Sequence, residues 1–334
     1  MSKMSKNESL ANRLPLAQKP HYGVRAWLVG LLLLLGFIVL AANLGEVEHF
    51  IALARQLQPV WLVTAVFAQI LTYFCAAAIW QQTLRHAGVT YSLWQLLPLG
   101  FAKLFSDQAL PSGGLSGTAF FVTALNRRGV DAPLCMAALL VSLITYYIAF
   151  LLVALTSLAL LWFRHAIQLW IVGVGVLFCL VVVAIPGGLL WLHRAGNRQP
   201  PQILLRLPGV SQTLQAFTHT PGHLVLDRKL MQTAVFLQLA IFLLDSVTLW
   251  IMLLAIGQDT TFLVAFPSFV VGAMVSLIGL IPMGLGTFEA TCVAILHLLG
   301  TPVEAALTAT LLLRGLTLWL PMLPGLWYAR RELN

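Results

Sequence analysis

Leu110-Pro111-Ser112-Gly113-Gly114-Leu115-Ser116-Gly117-Thr118 breaks an apolar region spanning 92–125, and Ile281-Pro282-Met283-Gly284-Leu285-Gly286-Thr287 breaks a second one spanning 262–300. Proline removes a helical N–H and glycine admits left-handed dihedrals, so each stretch should interrupt a helix rather than continue it. The two breaks are matched. After Gly117-Thr118 comes Gly129-Val130-Asp131-Ala132-Pro133 and a helix opening Leu134-Cys135-Met136; after Gly286-Thr287 comes Gly300-Thr301-Pro302-Val303-Glu304 and a helix opening Ala305-Ala306-Leu307. Pro111 and Pro282 lie 171 residues apart, about half the chain, and each follows a long apolar run, 60–84 or 230–256.

The rest of the sequence says what solvates these helices. Of 334 residues, 60% are hydrophobic and 9% charged, with a mean hydropathy of +0.91. Soluble domains carry about 25% charged residues. Lipid must therefore cover most of this surface, and the fold class is an all-α integral membrane protein. A bilayer core of ~30 Å takes about 20 apolar residues per crossing helix. Simple crossings are read at 26–43, 60–84, 134–163, 167–192, 230–256 and 303–327. The polar, basic segment 1–25 forms an N-terminal tail, and the run after it has no cleavage pattern, so it is read as a retained first helix. Residues 26–334 then make one membrane domain: repeat one at 60–163, a linking helix at 167–192, a loop at 193–229 and repeat two at 230–327.

Suppose each broken region enters and leaves the membrane on one side, as a re-entrant hairpin. One crossing, 167–192, then links the repeats and inverts the second relative to the first. Basic residues test the arrangement, because Lys and Arg gather on the cytoplasmic side. With the N-terminus inside, 16 of the 19 Lys and Arg lie inside, only Arg55 and Arg164 lie outside, and Arg314 is within the membrane. Full crossings at both breaks would move Arg127 and Arg128 outside and worsen the fit. The expectation is about six transmembrane helices plus two Gly/Pro-broken re-entrant hairpins in an inverted repeat, in the cytoplasmic membrane with both termini cytoplasmic. The same distribution argues against nucleic acid as the partner of a chain with net charge +8, since the basic residues sit in short clusters between apolar runs.

Matched, broken segments in two halves are the sequence pointer to a transporter's binding region. Non-helical backbone at membrane depth is costly unless it faces protein, water or substrate. The candidate substrate-binding residues are therefore Pro111, Gly113, Gly114, Gly117 and Thr118 in the first break, and Pro282, Gly284, Gly286 and Thr287 in the second. The half-helices starting near Thr118 and Thr287 point free N–H groups at an anion such as a lipid phosphate. The plainer alternative is that these glycines only allow tight helix crossing.

Glu289 and Arg314 complete the candidate set. Charges at this depth are usually paired and functional, and here they form either a substrate site or an ion pair that locks hairpin to helix. Phe120 stands at the position of Glu289 in the first half, and Thr145 or Tyr146 at that of Arg314, so the charge is expected only in the second half. Asp245 is a third member of that cluster or a coupling or proton site. Lys103 and Asp107, at i and i+4, read as a local pair near the inner interface, and His297 as interfacial. Cys75, Cys135, Cys179 and Cys292 lie in apolar runs without ligand spacing and read as packing residues. No catalytic residues, metal site or cofactor is expected: HExxH, GxSxG and an Asp-rich motif with closely spaced carboxylates are all missing.

Leu110 to Phe120 leading to Arg127-Arg128-Gly129-Val130, together with Ile281 to Ala290, Leu313-Arg314-Gly315 and Trp319, resembles the lysylphosphatidylglycerol synthase transmembrane-region family, including stand-alone YbhN-like members. The resemblance spans nearly the whole chain and implies a flippase-like activity, translocating a lipid between leaflets. In the two-part synthases a soluble aminoacyl-transferase domain follows the membrane region. This chain stops at Asn334, so the substrate lipid is expected from a separate lipid-modifying enzyme. Membrane lipids are the expected partners, and homo-oligomer formation is left open. Two other functions stay open: an ion-coupled secondary transporter of a small solute, with Asp245 and Glu289 carrying protons, and a non-transporting scaffold for a lipid or envelope biosynthesis enzyme. A membrane enzyme ranks last, for want of paired catalytic groups.

Overall fold

The computed structural model describes residues 58–109, 115–194, 224, 226–279 and 284–333. The first apolar run, 26–43, lies outside them, as do nearly all of the loop 193–229 and the residues Pro111, Gly113, Gly114 and Pro282 of the two breaks.

The described residues are helical and contain no strand. In chain order the helices are α1 (Pro59–His86), α2 (Leu93–Ala109), α3 (Leu115–Arg127), α4 (Ala132–Phe163), α5 (Leu169–Arg194), α6 (Arg228–Ala255), α7 (Phe262–Ile278), α8 (Thr287–Leu298), α9 (Val303–Arg314) and α10 (Leu320–Leu333). A π-helical segment, Gly315–Trp319, joins α9 to α10 without a break, since Gly315 and Leu320 keep helical dihedrals. Four helices among the described residues are long and apolar enough to cross a membrane: α1, α4, α6 and the continuous stretch Val303–Tyr328. Their large apolar side chains stand outward, Phe67, Leu152, Phe236 and Trp327 among them, a surface that lipid solvates and water would not.

Helices of matching length recur along the chain at a constant offset. Helices α1 and α6 are 28 residues each, α2 and α7 are 17 each, and α3 and α8 are 13 and 12. Gln69 and Gln238, Pro98 and Pro267, Gly117 and Gly286 are each separated by 169 residues, as are the first residues of α1 and α6. Both prolines sit inside their helices, α2 and α7.

Among the described residues the most extensive packing is between the equivalent helices α1 and α6. They run antiparallel. Gln58 N–H at the start of α1 donates to Ala255 O at the end of α6, 3.5 Å away. Midway, Gln69 reaches Asp245 and Thr248. At the far end, His86 closes α1 4.0 Å from Asp227, the cap of α6.

Each broken region folds back on itself. In the first, Arg128 Nη1 donates to Gln95 O at 3.2 Å and Tyr91 Oη to Arg128 O at 2.9 Å, so the outer ends of α2 and α3 meet. At the tip, Ser116 Oγ donates to Ser106 O at 2.7 Å. Trp80, Leu84, Leu96, Leu99, Phe121 and Leu125 fill the space between this hairpin and α1. The second hairpin packs more closely: a Cβ on Gly272 of α7 would come within 3.2 Å of Phe288 O, and the Phe269 and Phe288 rings lie 5.7 Å apart, edge to face. The larger of the clusters joins this hairpin to α4, α5 and α6.

Candidate functional site

The second break is a tight turn built on two left-handed glycines, Gly284 at φ +62° and Gly286 at φ +82°. Gly284 lies so close to Ser276 of α7 that a Cβ there would collide with the serine hydroxyl. Glu289, two residues into α8 from Thr287 and 2% exposed, turns back to this loop. Its Oε2 accepts the Gly286 N–H at 2.7 Å, and its Oε1 accepts Arg314 Nε at 2.6 Å. The arginine spreads across the same turn: Nη2 donates to Gly284 O at 3.3 Å, and the guanidinium lies 4.4 Å from the centre of the Phe288 ring. Thr287 Oγ1 also donates to Gly284 O, at 3.1 Å. Arg314 is the last residue of α9 before the π segment, and such segments recur at functional sites. Glu289 and Arg314 thus clasp the turn, α8 and α9 together.

The first break carries a comparable clasp that the sequence did not reveal. Asp107 Oδ1 accepts the Gly117 N–H at 2.8 Å, and Asp107 Oδ2 accepts Lys103 Nζ at 2.7 Å. Gly117 is the counterpart of Gly286, so each turn has its glycine N–H taken by a carboxylate whose second oxygen meets a cation. The expectation that charge belongs to the second half alone is therefore corrected. The carboxylate comes from α2, before the turn, where the second half takes it from α8, after the turn; position-by-position matching could not find it. A Cβ on Gly117 would fall onto the Asp107 carboxylate, so a larger residue there would displace the clasp. The two clasps differ in depth: the Lys103 and Asp107 side chains are 23% and 21% exposed, against 14% and 3% for Arg314 and Glu289.

These contacts bear on the expected anion site. Carboxylates of the protein itself occupy the N–H of Gly117, in the first turn of α3, and that of Gly286, just ahead of α8, and Thr287 spends its hydroxyl on the turn. Each oxygen of Glu289 accepts a hydrogen bond, one from Arg314 and one from Gly286. Asp245 does not join this cluster; its Oδ1 accepts from Gln69 Nε2 at 2.9 Å across the α1–α6 contact. Lys103 and Asp107 do form the local pair expected, with the additional role at Gly117. His297 is exposed and faces Thr301 O at 3.2 Å. All four cysteines are free, with Cys135 and Cys292 buried. Among the described residues no group of three or more His, Cys, Asp or Glu could hold a metal ion.

The model of one family, the lysylphosphatidylglycerol synthase TM region, matches residues 27–325. A protein of Methanothermobacter thermautotrophicus described as a UPF0104 membrane protein is 21% identical over 314 residues, covering 87% of this chain and 91% of its own. The chain belongs to the lysylphosphatidylglycerol synthase transmembrane-region family.

Proposed function

We propose that this member of the family translocates a phosphate-bearing lipid between the leaflets of the cytoplasmic membrane, through six crossing helices and two re-entrant hairpins arranged as an inverted repeat. The observation that carries this reading is the antiparallel packing of α1 on α6. Helices that cross a membrane alternate in direction, so equivalent helices are antiparallel only when an even number of crossings separates them. Helices α4 and α5 are two crossings. If the α2–α3 region crossed once more, α1 and α6 would run parallel. At ~1.5 Å per residue, α2 and α3 reach about 25 Å and 20 Å, short of the ~30 Å core, which supports a hairpin that enters and leaves on one side. The second hairpin then opens to the opposite face.

In this arrangement the two glycine turns line a path reached from either leaflet, each with a cation beside it, Lys103 at the first and Arg314 at the second. The first turn of each half-helix adds N–H groups without intrahelical partners. A phosphate would bind there in exchange with the resident carboxylate, which keeps the turn closed when no lipid is present. A separate enzyme would supply the lipid where it is a modified one.

The test uses the full chain in vesicles of phosphatidylethanolamine and phosphatidylglycerol carrying a fluorescent phosphatidylglycerol. Added reductant should bleach the inner-leaflet probe in protein-containing vesicles and spare it in empty ones. Equal protection in both, with no lipid retained on the purified protein, would sink the proposal.

A further inference from the structure

We propose that Asp245 is a proton-binding site whose protonation drives the lipid movement, passed to the first hairpin through Gln69, Tyr73 and Phe101. This rests on the translocation reading above. The first observation is the solitude of the carboxylate. The carboxylates at the two glycine turns each have a cation, Lys103 for Asp107 and Arg314 for Glu289. Asp245 has one neutral amide, Gln69 Nε2, shared with Thr248 Oγ1 at 3.0 Å, and no Lys, Arg or His pairs with it among the described residues.

The second observation is its place. Asp245 lies about one helical turn from the middle of α6, so it meets the bilayer near mid-depth, where ionisable groups are rare and mark proton relays. The third is that Ala76 stands at the equivalent position of α1, so the first half is built there without a carboxylate and the group is particular to the second.

Its surroundings can receive a proton and transmit the change. Tyr73 of α1 and Tyr146 of α4 stand within electrostatic reach of Asp245, and Tyr147 lies beside Tyr146 with ring centres 5.4 Å apart. Helix α7 has no titratable side chain, and the two of α9, Glu304 and Arg314, do not act on Asp245. When ionised, the carboxylate draws the Gln69 amide and the tyrosine hydroxyls toward it. A proton taken from water on one side binds its free oxygen, neutralises the group and relaxes that pull; its release to the other side restores the pull. Tyr73 carries the movement outward, because its ring packs 4.7 Å from Phe101 of α2. Phe101 lies two residues before Lys103, so the first clasp sits on the same helix.

Two measurements on the full chain in the same vesicles test this. Infrared difference spectra between acid and alkaline buffer should show a protonated carboxyl band that Asp245→Asn removes and Asp245→Glu shifts. Movement of the fluorescent phosphatidylglycerol should change several-fold when a pH gradient is imposed, with Asp245→Asn losing that response and Asp245→Glu keeping it. Should Asp245→Asn fail to fold, Gln69→Leu should move the pH at which the band appears. A wild-type spectrum without an Asp245 band, or an Asp245→Asn protein that still responds to the gradient, overturns the proposal. If the wild type moves no lipid, the translocation reading fails, and the infrared titration still decides whether Asp245 binds a proton.

Discussion

Glu289 shows what a single carboxylate does inside this molecule. It neutralises Arg314, closes the N-terminus of α8 and fixes a turn whose two glycines could otherwise swing freely. Removing one member of a buried ion pair leaves the other charge uncompensated, which costs roughly 3–5 kcal/mol. Glu289→Gln keeps an acceptor for Gly286 N–H but strands the arginine, so it should lower thermal stability by that order. Asp107→Asn breaks a pair whose side chains are about a fifth exposed and should cost under about 1 kcal/mol. Thermal unfolding of both variants in detergent checks the contrast; equal losses would mean that the clasps are equally buried. The sequence made Glu289 and Arg314 legible because a lone charge stands out in an apolar run. It hid Asp107, because an i,i+4 neighbour, Lys103, already accounts for it. Only the folding back of α3 on α2 brings Gly117, ten residues on, to its second oxygen.

At the scale of elements, the ends of α1 and α6 are joined by Asp227, the N-cap of α6. Its carboxylate accepts Lys229 N–H at 2.9 Å and Leu230 N–H at 3.1 Å and faces His86 at 4.0 Å. The Leu230 N–H, with the Lys229 N–H and the nearby His86 and Lys229 side chains, holds its pKa below the usual carboxylate range against the opposing effect of burial. A depressed folded value stabilises the protein above the unfolded value, about 3.9, and the gain is lost as pH falls through the folded one. Asp227→Ala should therefore lower the unfolding midpoint at neutral pH, and the gap from wild type should close in acid below about pH 4. A gap that persists unchanged at pH 3 would show that the cap works without its charge. The long helices were legible to within about two residues: 60–84 was read and α1 is Pro59–His86, 230–256 was read and α6 is Arg228–Ala255. Apolar run length alone decides such helices. The π segment Gly315–Trp319 left no signal, because the run 303–327 is apolar through it.

For the whole molecule, direction matters more than helix count. The spacing of matched residues reveals that the chain repeats, but it is blind to orientation, since a parallel and an inverted repeat leave the same spacing. Lys and Arg supplied an indirect vote in the sequence. The register of α1 on α6, from Gln58 with Ala255 to His86 with Asp227, supplies a physical one. In the inverted arrangement the outer ends of the first hairpin, near Gln95 and Arg128, share a membrane face with Arg85 and Lys229, while Arg164, Asp259 and Thr301 share the other. Single cysteines placed at Arg85, Arg128, Arg164 and Asp259, in a chain cleared of its four native cysteines, convert this into a labelling experiment. In sealed vesicles of one orientation, a membrane-impermeant maleimide should label positions 85 and 128 together and positions 164 and 259 from the opposite side. Labelling of 85 together with 164, with 128 reached only from the opposite side, would make the first broken region a single crossing. It would also turn α1 and α6 parallel, against the contact that joins them, and the two-sided path between the glycine turns would be lost with it.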